Sequence, residues 1–226
     1  MKQGKYRAYI ADGILVDAFE FRPQQALVVD FSGRITAIES PQELDPEIEV
    51  VDCSGSIFVA APILAHSHLE SFDAPCDDFD NSGFAQWVRS LLQWRESENR
   101  LSPQQSAAKS LELLSENGCG LVATHVAETG AEGDVESVLP EVQAFVEVFN
   151  PHSDIPQFEE FPFRGIALHA PYSVHDDIAR HVFSMATDDD VISIHLGEHS
   201  QEREFLRNGE GELARLFMER QLPLKS

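Results

Sequence analysis

The sequence predicts an α/β fold in which parallel strands alternate with helices. Short apolar runs recur along the second part of the chain, and segments with a helical period separate them. Several of these runs end in a histidine, as expected where barrel strands deliver side chains to one rim. We therefore predict a partial TIM-like (β/α) barrel of about five strand-helix units over residues 56–226, preceded by a small β domain over residues 1–55.

The composition favours a globular protein that acts on small molecules. The chain has 226 residues, of which 42% are apolar, enough to bury a sizeable core. Its 16 basic and 39 acidic residues give a formal net charge of −23. Nucleic acids and anionic membranes both require a basic surface, so this charge argues against either partner and favours a small-molecule substrate.

The predicted compartment is the cytoplasm. No apolar stretch approaches the roughly 20 residues that a membrane helix needs, and the N-terminus lacks the apolar core of a signal peptide. The cysteines, Cys53, Cys76 and Cys119, are odd in number and lack CxxC spacing. This pattern predicts reduced thiols and argues against a thiolate zinc site.

The first part of the chain is predicted to consist of short strands joined by turns. Residues 26–29 and 34–38 flank the turn sequence Asp30-Phe31-Ser32-Gly33, which predicts a β-hairpin. A last strand near residues 48–51 leads into the next domain, and we expect the boundary close to residue 55.

An apolar run that ends in two histidines begins the predicted barrel. The run covers residues 57–61 and continues through Ile63 and Leu64, which predicts one parallel strand covered on both faces. His66 and His68 follow at alternate positions, so their side chains share a face. At the carboxyl end of a barrel strand, such a pair is placed to bind a metal.

Two helices are predicted after the histidine pair. The first carries an apolar face of Phe84, Trp87, Val88, Leu91 and Trp94. Core packing explains this face, and closure of an aromatic side chain over a planar substrate is the alternative. Capping residues predict that the second helix starts at Ser102-Pro103, reaches Glu116 and stops at Asn117-Gly118.

Four further strands continue the alternation of strands and helices, over residues 120–127, 143–149, 163–169 and 191–195. Three of them carry a histidine near the carboxyl end: His125, His169 and His195. We interpret His125 as a packed or solvated side chain, with a metal ligand as the alternative. The proline-stiffened turn after His169 makes that histidine a fixed donor for a substrate hydroxyl.

These residue types suit metal-assisted hydrolysis. His66, His68 and His195 are three candidate ligands for a divalent cation, which lowers the pKa of bound water towards neutrality. Glu198 follows His195 closely and is the candidate group that accepts the proton of the water and delivers it to the leaving nitrogen. His169 is the candidate contact to the substrate or its oxyanion.

The same motifs resemble the amidohydrolase superfamily, in the branch that contains nucleoside deaminases, chlorohydrolases and cyclic deaminases. The matching segments are Pro62, Ala65-His66-Ser67-His68-Leu69-Glu70, His169-Ala170-Pro171-Tyr172-Ser173-Val174 and Ile194-His195-Leu196-Gly197-Glu198. Further details are similar to aminodeoxyfutalosine deaminases of menaquinone biosynthesis. They are Glu70, the helix with Phe84, Trp87, Val88 and Arg95, and Glu202-Arg203-Glu204-Phe205-Leu206.

The resemblance implies a metal-dependent barrel with a flanking β-sandwich. It also implies hydrolysis or deamination at a C–N bond of a purine-like or other heterocyclic small molecule. The residues carried over are His66, His68 and His195 as metal ligands, Glu198 as proton shuttle, and Glu70, His169 and Trp87 as substrate contacts. We expect one divalent metal, zinc, with iron, manganese and nickel as alternatives.

The resemblance covers only the first part of the family pattern, which continues with a histidine on the sixth strand and an aspartate after the eighth. We therefore expect a chain truncated at its C-terminus, with impaired turnover, whose open sheet edge binds a second copy or a complementing chain. A non-catalytic remnant or split-gene fragment that pairs with another chain is one alternative. A related dechlorinase or guanine-type deaminase with the same ligands is another.

Overall fold

The computed structural model of the protein describes residues 6–127, 140–154 and 165–224. The chain divides into two compact units, one that ends at Ala61 and one that begins at Pro62. The predicted strand over residues 163–169 is therefore described from Gly165 onward, and Phe163 and Arg164 lie outside the described residues.

The first unit is one five-stranded sheet. Its strands are β1 (Tyr6–Leu15), β2 (Phe21–Pro23), β3 (Ala26–Asp30), β4 (Ile35–Glu39) and β5 (Glu49–Val59). The predicted hairpin is confirmed as the antiparallel pair of β3 and β4, with Gly33 at a φ of +87° in the turn between them. The predicted β-sandwich is not confirmed, because the described strands of this unit form a single sheet.

The second unit contains a five-stranded sheet in which all neighbouring strands are parallel, which confirms the predicted α/β fold with parallel strands. Its strands are β6 (Ile63–Leu64), β7 (Leu121–Val126), β8 (Glu141–Val148), β9 (Gly165–Leu168) and β10 (Val191–Ile194). Because neighbours in the sheet are also neighbours in sequence, β6 and β10 are its two outer strands.

Five helices accompany the described strands of this unit. They are α1 (Phe84–Arg95), α2 (Pro103–Glu116), α3 (Asp176–Met185), α4 (Ser200–Asn208) and α5 (Glu212–Glu219). The predicted bounds of α2 are confirmed, and a capping box joins Ser102 to Gln105 at its start. The apolar faces of α2 and α3 cover the sheet. Ala107 and Leu111 pack on Val122, and Ile178 packs on Val148 and Leu168.

The predicted histidine strand is wrong in one respect, because the apolar run does not form one buried strand. Ile57 and Val59 belong to β5 in the first sheet, where more than half of each side chain is exposed, and only Ile63 and Leu64 form β6. Pro62 lacks the N–H that a continuous ladder needs, so the run breaks there. The predicted boundary at residue 55 lies within β5, whereas the units divide between Ala61 and Pro62.

Cys53, Cys76 and Cys119 are free thiols, and Cys119 is buried. Among the described helices, none is long and apolar enough to cross a membrane.

Candidate active site

The carboxyl ends of the parallel strands bring five histidines and one glutamate to one rim of the second unit. Their sources are β6 (His66 and His68 follow it), β7 (His125), β8 (Glu147), β9 (His169 follows it) and β10 (His195 follows it). The backbone ladder continues past the named strands. The N–H of His169 donates to the carbonyl of Val148 at 3.0 Å, and the N–H of His195 donates to the carbonyl of His169 at 2.9 Å. These bonds fix both side chains at the rim.

The three predicted metal ligands lie together. The ring centroid of His66 is 5.1 Å from that of His68 and 4.8 Å from that of His195, and the last two are 5.6 Å apart. In a flat sheet with neighbouring strands about 4.8 Å apart, the outer strands β6 and β10 would be separated by ~19 Å. The sheet is therefore curled, and its two outer strands converge at their carboxyl ends.

Two contacts engage ring nitrogens of these three histidines within the described residues: Nδ1 of His68 lies 3.7 Å from Oε1 of Glu70, and Nε2 of His195 lies 3.6 Å from Oε1 of Glu147. The rings of His66 and His68 make no hydrogen bond within the described part of the chain, and Nδ1 of His68 is buried without one. One ligand atom from each, together with one from His125, lies within 4.8 Å of the others. Imidazole nitrogens at this spacing fit a divalent cation, so the donor set can hold one.

His125 differs from the other three. Its side chain is 2% exposed, its Nδ1 is 3.1 Å from Oε1 of Glu147, and its Nε2 is 2.9 Å from Oγ of Ser193. Both ring nitrogens are therefore engaged by protein groups. The interpretation of His125 as a packed side chain agrees with these contacts, although the ring lies 4.5 Å from that of His66.

The pKa values of two candidate ligands, His66 and His195, are shifted in opposite directions. Partial burial and the charges of His125, His68 and His195 lower the pKa of His66 to about 4, so its ring is neutral and can coordinate a cation at neutral pH. Contact with Glu147 raises the pKa of His195, although burial opposes the shift. A cation that binds His195 must therefore displace a more firmly held proton than at His66.

Glu147 is a site residue that the sequence analysis missed. Its side chain is 4% exposed, and its Oε1 lies 3.1 Å from His125 and 3.6 Å from Nε2 of His195. Burial alone would raise its pKa, but the contacts with the two histidines hold it well below the usual range. An acidic residue in the otherwise apolar end of β8, on the same face as Phe145, was the available signal.

The carboxylate of Glu198, the predicted proton shuttle, is held by a tyrosine. The hydroxyl of Tyr172 donates to Oε2 of Glu198 at 2.7 Å. Burial and the nearby charge of Glu198 raise the pKa of Tyr172 far above neutrality, so the phenol stays a donor. One oxygen of Glu198 is fixed by this hydrogen bond. Tyr172 lies in a quoted motif, but the sequence analysis gave it no role.

His169 faces the same space. Its Nδ1 is 2.6 Å from Oγ of Ser173, which leaves Nε2 for other partners. Burial lowers its pKa to about 4, against the opposing charge of Glu147, so the ring is neutral near pH 7. Ligand atoms of Glu147, His169 and His195 also lie within 4.8 Å of one another.

A cavity of about 380 Å³ opens beside Glu198 and His169. Its walls come from α1 and α5, and Trp87 is among the wall residues, as are Phe84 and Leu216. Phe84 also packs against the core around Phe205. The apolar face of α1 therefore packs on the core and also lines the cavity.

Glu70 lies close to the candidate metal ligands but not among the residues that line the cavity. Its side chain is 2% exposed, and neither carboxylate oxygen has a hydrogen bond in the described residues. Oε1 lies 3.7 Å from Nδ1 of His68 and 3.7 Å from Nη2 of Arg95. A buried carboxylate without hydrogen bonds can accept them from a ligand. Arg95, which lines the cavity, had no role in the sequence analysis.

The chain is similar to two curated deaminases. It is 27% identical over 203 residues to the adenosine deaminase of Helicobacter pylori, an alignment that covers 81% of this chain and 49% of the relative. It is 25% identical over 235 residues to the aminodeoxyfutalosine deaminase of a Nitratiruptor species, which covers 91% of this chain and 56% of the relative. No protein-family model matches the chain.

The fold is that of a solved deaminase structure. The crystal structure of Helicobacter pylori aminofutalosine deaminase in complex with methylthio-coformycin superposes with a TM-score of 0.78 at 22% identity, covering 94% of this chain and 56% of that one. Together with the two curated relatives, this superposition confirms the resemblance to deaminases that the sequence predicted. The chain spans about half the length of the curated relatives it matches.

Proposed function

We propose that this chain carries the metal centre and proton shuttle of a hydrolase that deaminates a purine-like or other heterocyclic small molecule. One observation carries the proposal: His66, His68 and His195 converge from opposite edges of a curled sheet, with one ring nitrogen of each within 4.8 Å of the others. Similarity to an adenosine deaminase and an aminodeoxyfutalosine deaminase supports the choice of reaction.

The proposed ligands of the cation are His66, His68 and His195, and the proposed cation is zinc. Iron, manganese and nickel also accept imidazole ligands, so the identity of the bound metal also depends on which metals are available. When bound, the cation would supply charge that lowers the pKa of a water molecule towards neutrality.

Glu198 is proposed to move the protons. One of its oxygens is fixed by Tyr172, which leaves the other to accept a proton from the attacking water. The water oxygen bonds to the carbon that carries the amino group, and the C–N bond then breaks. Glu198 returns the proton to the nitrogen, which leaves as ammonia. Each proton that Glu198 accepts is thus delivered to the leaving group.

The proposed substrate contacts are two residues that line the cavity, His169 and Trp87, and Glu70, which lies 3.7 Å from the lining residue Arg95. Nε2 of His169 is placed to bond the reacting end of the substrate, because Nδ1 is taken by Ser173. Trp87 offers an aromatic surface for a planar heterocycle. Glu70 would accept hydrogen bonds from hydroxyl or amino groups, since its buried oxygens have none.

Ammonia release from adenosine-type nucleosides and other amino-heterocycles tests this function on zinc-loaded protein. We expect release by the wild-type chain and none by E198Q, which keeps the shape of the side chain but cannot carry the proton. Zinc content is measured in parallel. A wild-type chain that binds no metal and releases no ammonia would rule the proposal out.

A second candidate function is pairing with another polypeptide. The outer strands β6 and β10 have no strand partner on their outer side among the described residues. Apolar side chains stand exposed near both edges: Ile63 is 66% exposed, Val191 54% and Leu196 72%. Edges of this kind favour strand addition. The partner would be a second copy or a complementing chain.

Light scattering tests the pairing proposal, because it measures the mass in solution directly. A stable dimer that dissociates when Val191 is replaced by lysine would support pairing along β10. A monomer at all concentrations would exclude a second copy as the partner.

A further inference from the structure

Glu202 is a buried carboxylate that none of the roles above uses. It lies in the first turn of α4 with 2% of its surface exposed. No basic side chain in the described ranges pairs with it. Instead, Oε1 accepts the backbone N–H of Gly197 at 3.2 Å, and Oε2 accepts the backbone N–H of Glu198 at 2.7 Å. Two main-chain donors therefore stabilise its charge.

The turn that Glu202 grips has an unusual backbone. Gly197 has a φ of +73°, in the left-handed region, and nothing lies within 4 Å of the position where a Cβ would be. Glycine is therefore required by conformation and not by space. In this conformation the N–H groups of Gly197 and Glu198 both point to the carboxylate of Glu202. The N–H of Glu202 in turn donates to the carbonyl of His199 at 3.1 Å, which closes the loop on the helix.

We propose that Glu202 is a positioning residue for Glu198. It fixes the peptide from which Glu198 branches, while Tyr172 fixes the far end of the same side chain. A carboxylate suits this position because it accepts from two donors at once. A glutamine has a single acceptor oxygen and would turn its amide N–H groups towards the other main-chain donor.

This inference rests on the proposed role of Glu198, and it is tested by comparing E202Q with E204Q. Glu204 lies on the same helix but is exposed, so the same chemical change there is a matched control. We expect kcat for ammonia release to fall on the order of 10- to 100-fold in E202Q alone, the effect of a small misplacement of a reacting group. KM and zinc content should stay within about twofold of wild type, because neither substrate nor metal contacts Glu202 in this arrangement.

Amide hydrogen exchange supplies a readout that needs no activity. In the wild-type chain, the amides of Gly197 and Glu198 should exchange slowly although they lie beyond β10, and in E202Q they should lose about tenfold or more of this protection. Amides of β9 and β10 should stay protected in both proteins, which separates a local change from unfolding.

The kinetic experiment and the hydrogen-exchange experiment can fail independently of each other. If no variant releases ammonia, the proposed function fails, and the exchange rates still decide whether Glu202 holds the turn. Unchanged kcat in E202Q, or fast exchange of both amides in the wild type, would overturn the inference. If E202Q does not fold, the wild-type exchange rates alone give the answer.

Discussion

The inner and outer strands of the curled sheet use the same residue types in opposite ways. In the inner strands, His125 and Glu147 bond each other and are almost fully buried. After the outer strands, ligand atoms of His66, His68 and His195 lie within 4.8 Å of one another and of His125, and the rings of His66 and His68 make no hydrogen bond with the described residues. Nε2 of His195 lies 3.6 Å from Oε1 of Glu147. Proximity of histidines is therefore a weak guide to ligands. The better guide is which ring nitrogens the protein leaves unused.

We therefore expect the inner pair and the three outer histidines to have different roles. The inner pair satisfies its own charge and polarity, so it should contribute mainly to stability. The outer three should contribute mainly to metal binding, because His125 stays beside Glu147 and Arg95 stays beside Glu70 when one of the three is removed. Each prediction below tests this division.

The largest effect is expected for H195A, which removes a ligand from an outer strand. Zinc content should fall from about one equivalent to below about a tenth, because two imidazoles hold zinc far less tightly than three. H152A is the control, since the side chain of His152 is exposed and is not part of the proposed site. Metal analysis of dialysed protein measures both. Full zinc content in H195A would break the division between the two groups.

H125A should reverse the pattern. It leaves the buried carboxylate of Glu147 without its closest hydrogen-bond partner, and we expect the free energy of unfolding to fall by about 3 kcal/mol, the upper end of the cost of leaving a buried polar group unsatisfied. H66A should cost less than about 1 kcal/mol in the metal-free protein, because His66 is exposed and makes no hydrogen bond in the described residues. Urea unfolding of both metal-free variants gives the comparison. Equal losses would contradict it.

The pH dependence of stability should show the titration of His169 at the rim. The pKa of His169 is lowered from 6.5 to about 4 by burial, so below pH 6.5 the unfolded chain binds a proton that the folded chain does not. Its contribution is complete above pH 6.5 and is lost as the pH falls towards 4, a loss of about 3 kcal/mol at most. Urea unfolding of metal-free protein between pH 7 and pH 4 measures the slope, and H169N should flatten it. An unchanged slope in H169N would contradict this assignment.

The smallest effect is expected for Y172F. It removes one hydrogen bond to Glu198 and keeps the ring that packs in the core, so kcat should fall about tenfold with little change in KM or zinc content. Y6F in β1 of the first unit is the control. A larger loss of zinc than of kcat would place Tyr172 in the metal centre instead.

The sequence predicted those features of the fold and site that depend on local patterns. Alternate spacing placed His66 and His68 together, and capping residues placed α2. The pairing of His125 with Glu147 could not be predicted, because it depends on the register between β7 and β8. The break at Pro62 was missed because an apolar run looks the same in the sequence whether its residues form one strand or are divided between two sheets. The single sheet of the first unit was missed for a related reason. Alternating apolar and polar residues predict strands, but they do not show whether the strands form one sheet or two.

The central claim is that His66, His68 and His195 bind one cation. Its most direct test is a crystal structure of the zinc-soaked protein with anomalous data at the zinc edge. We predict one strong peak within about 2.1 Å of a ring nitrogen of each of the three histidines. A peak at other residues, or a His195 ring turned away from His66 and His68, would contradict the account.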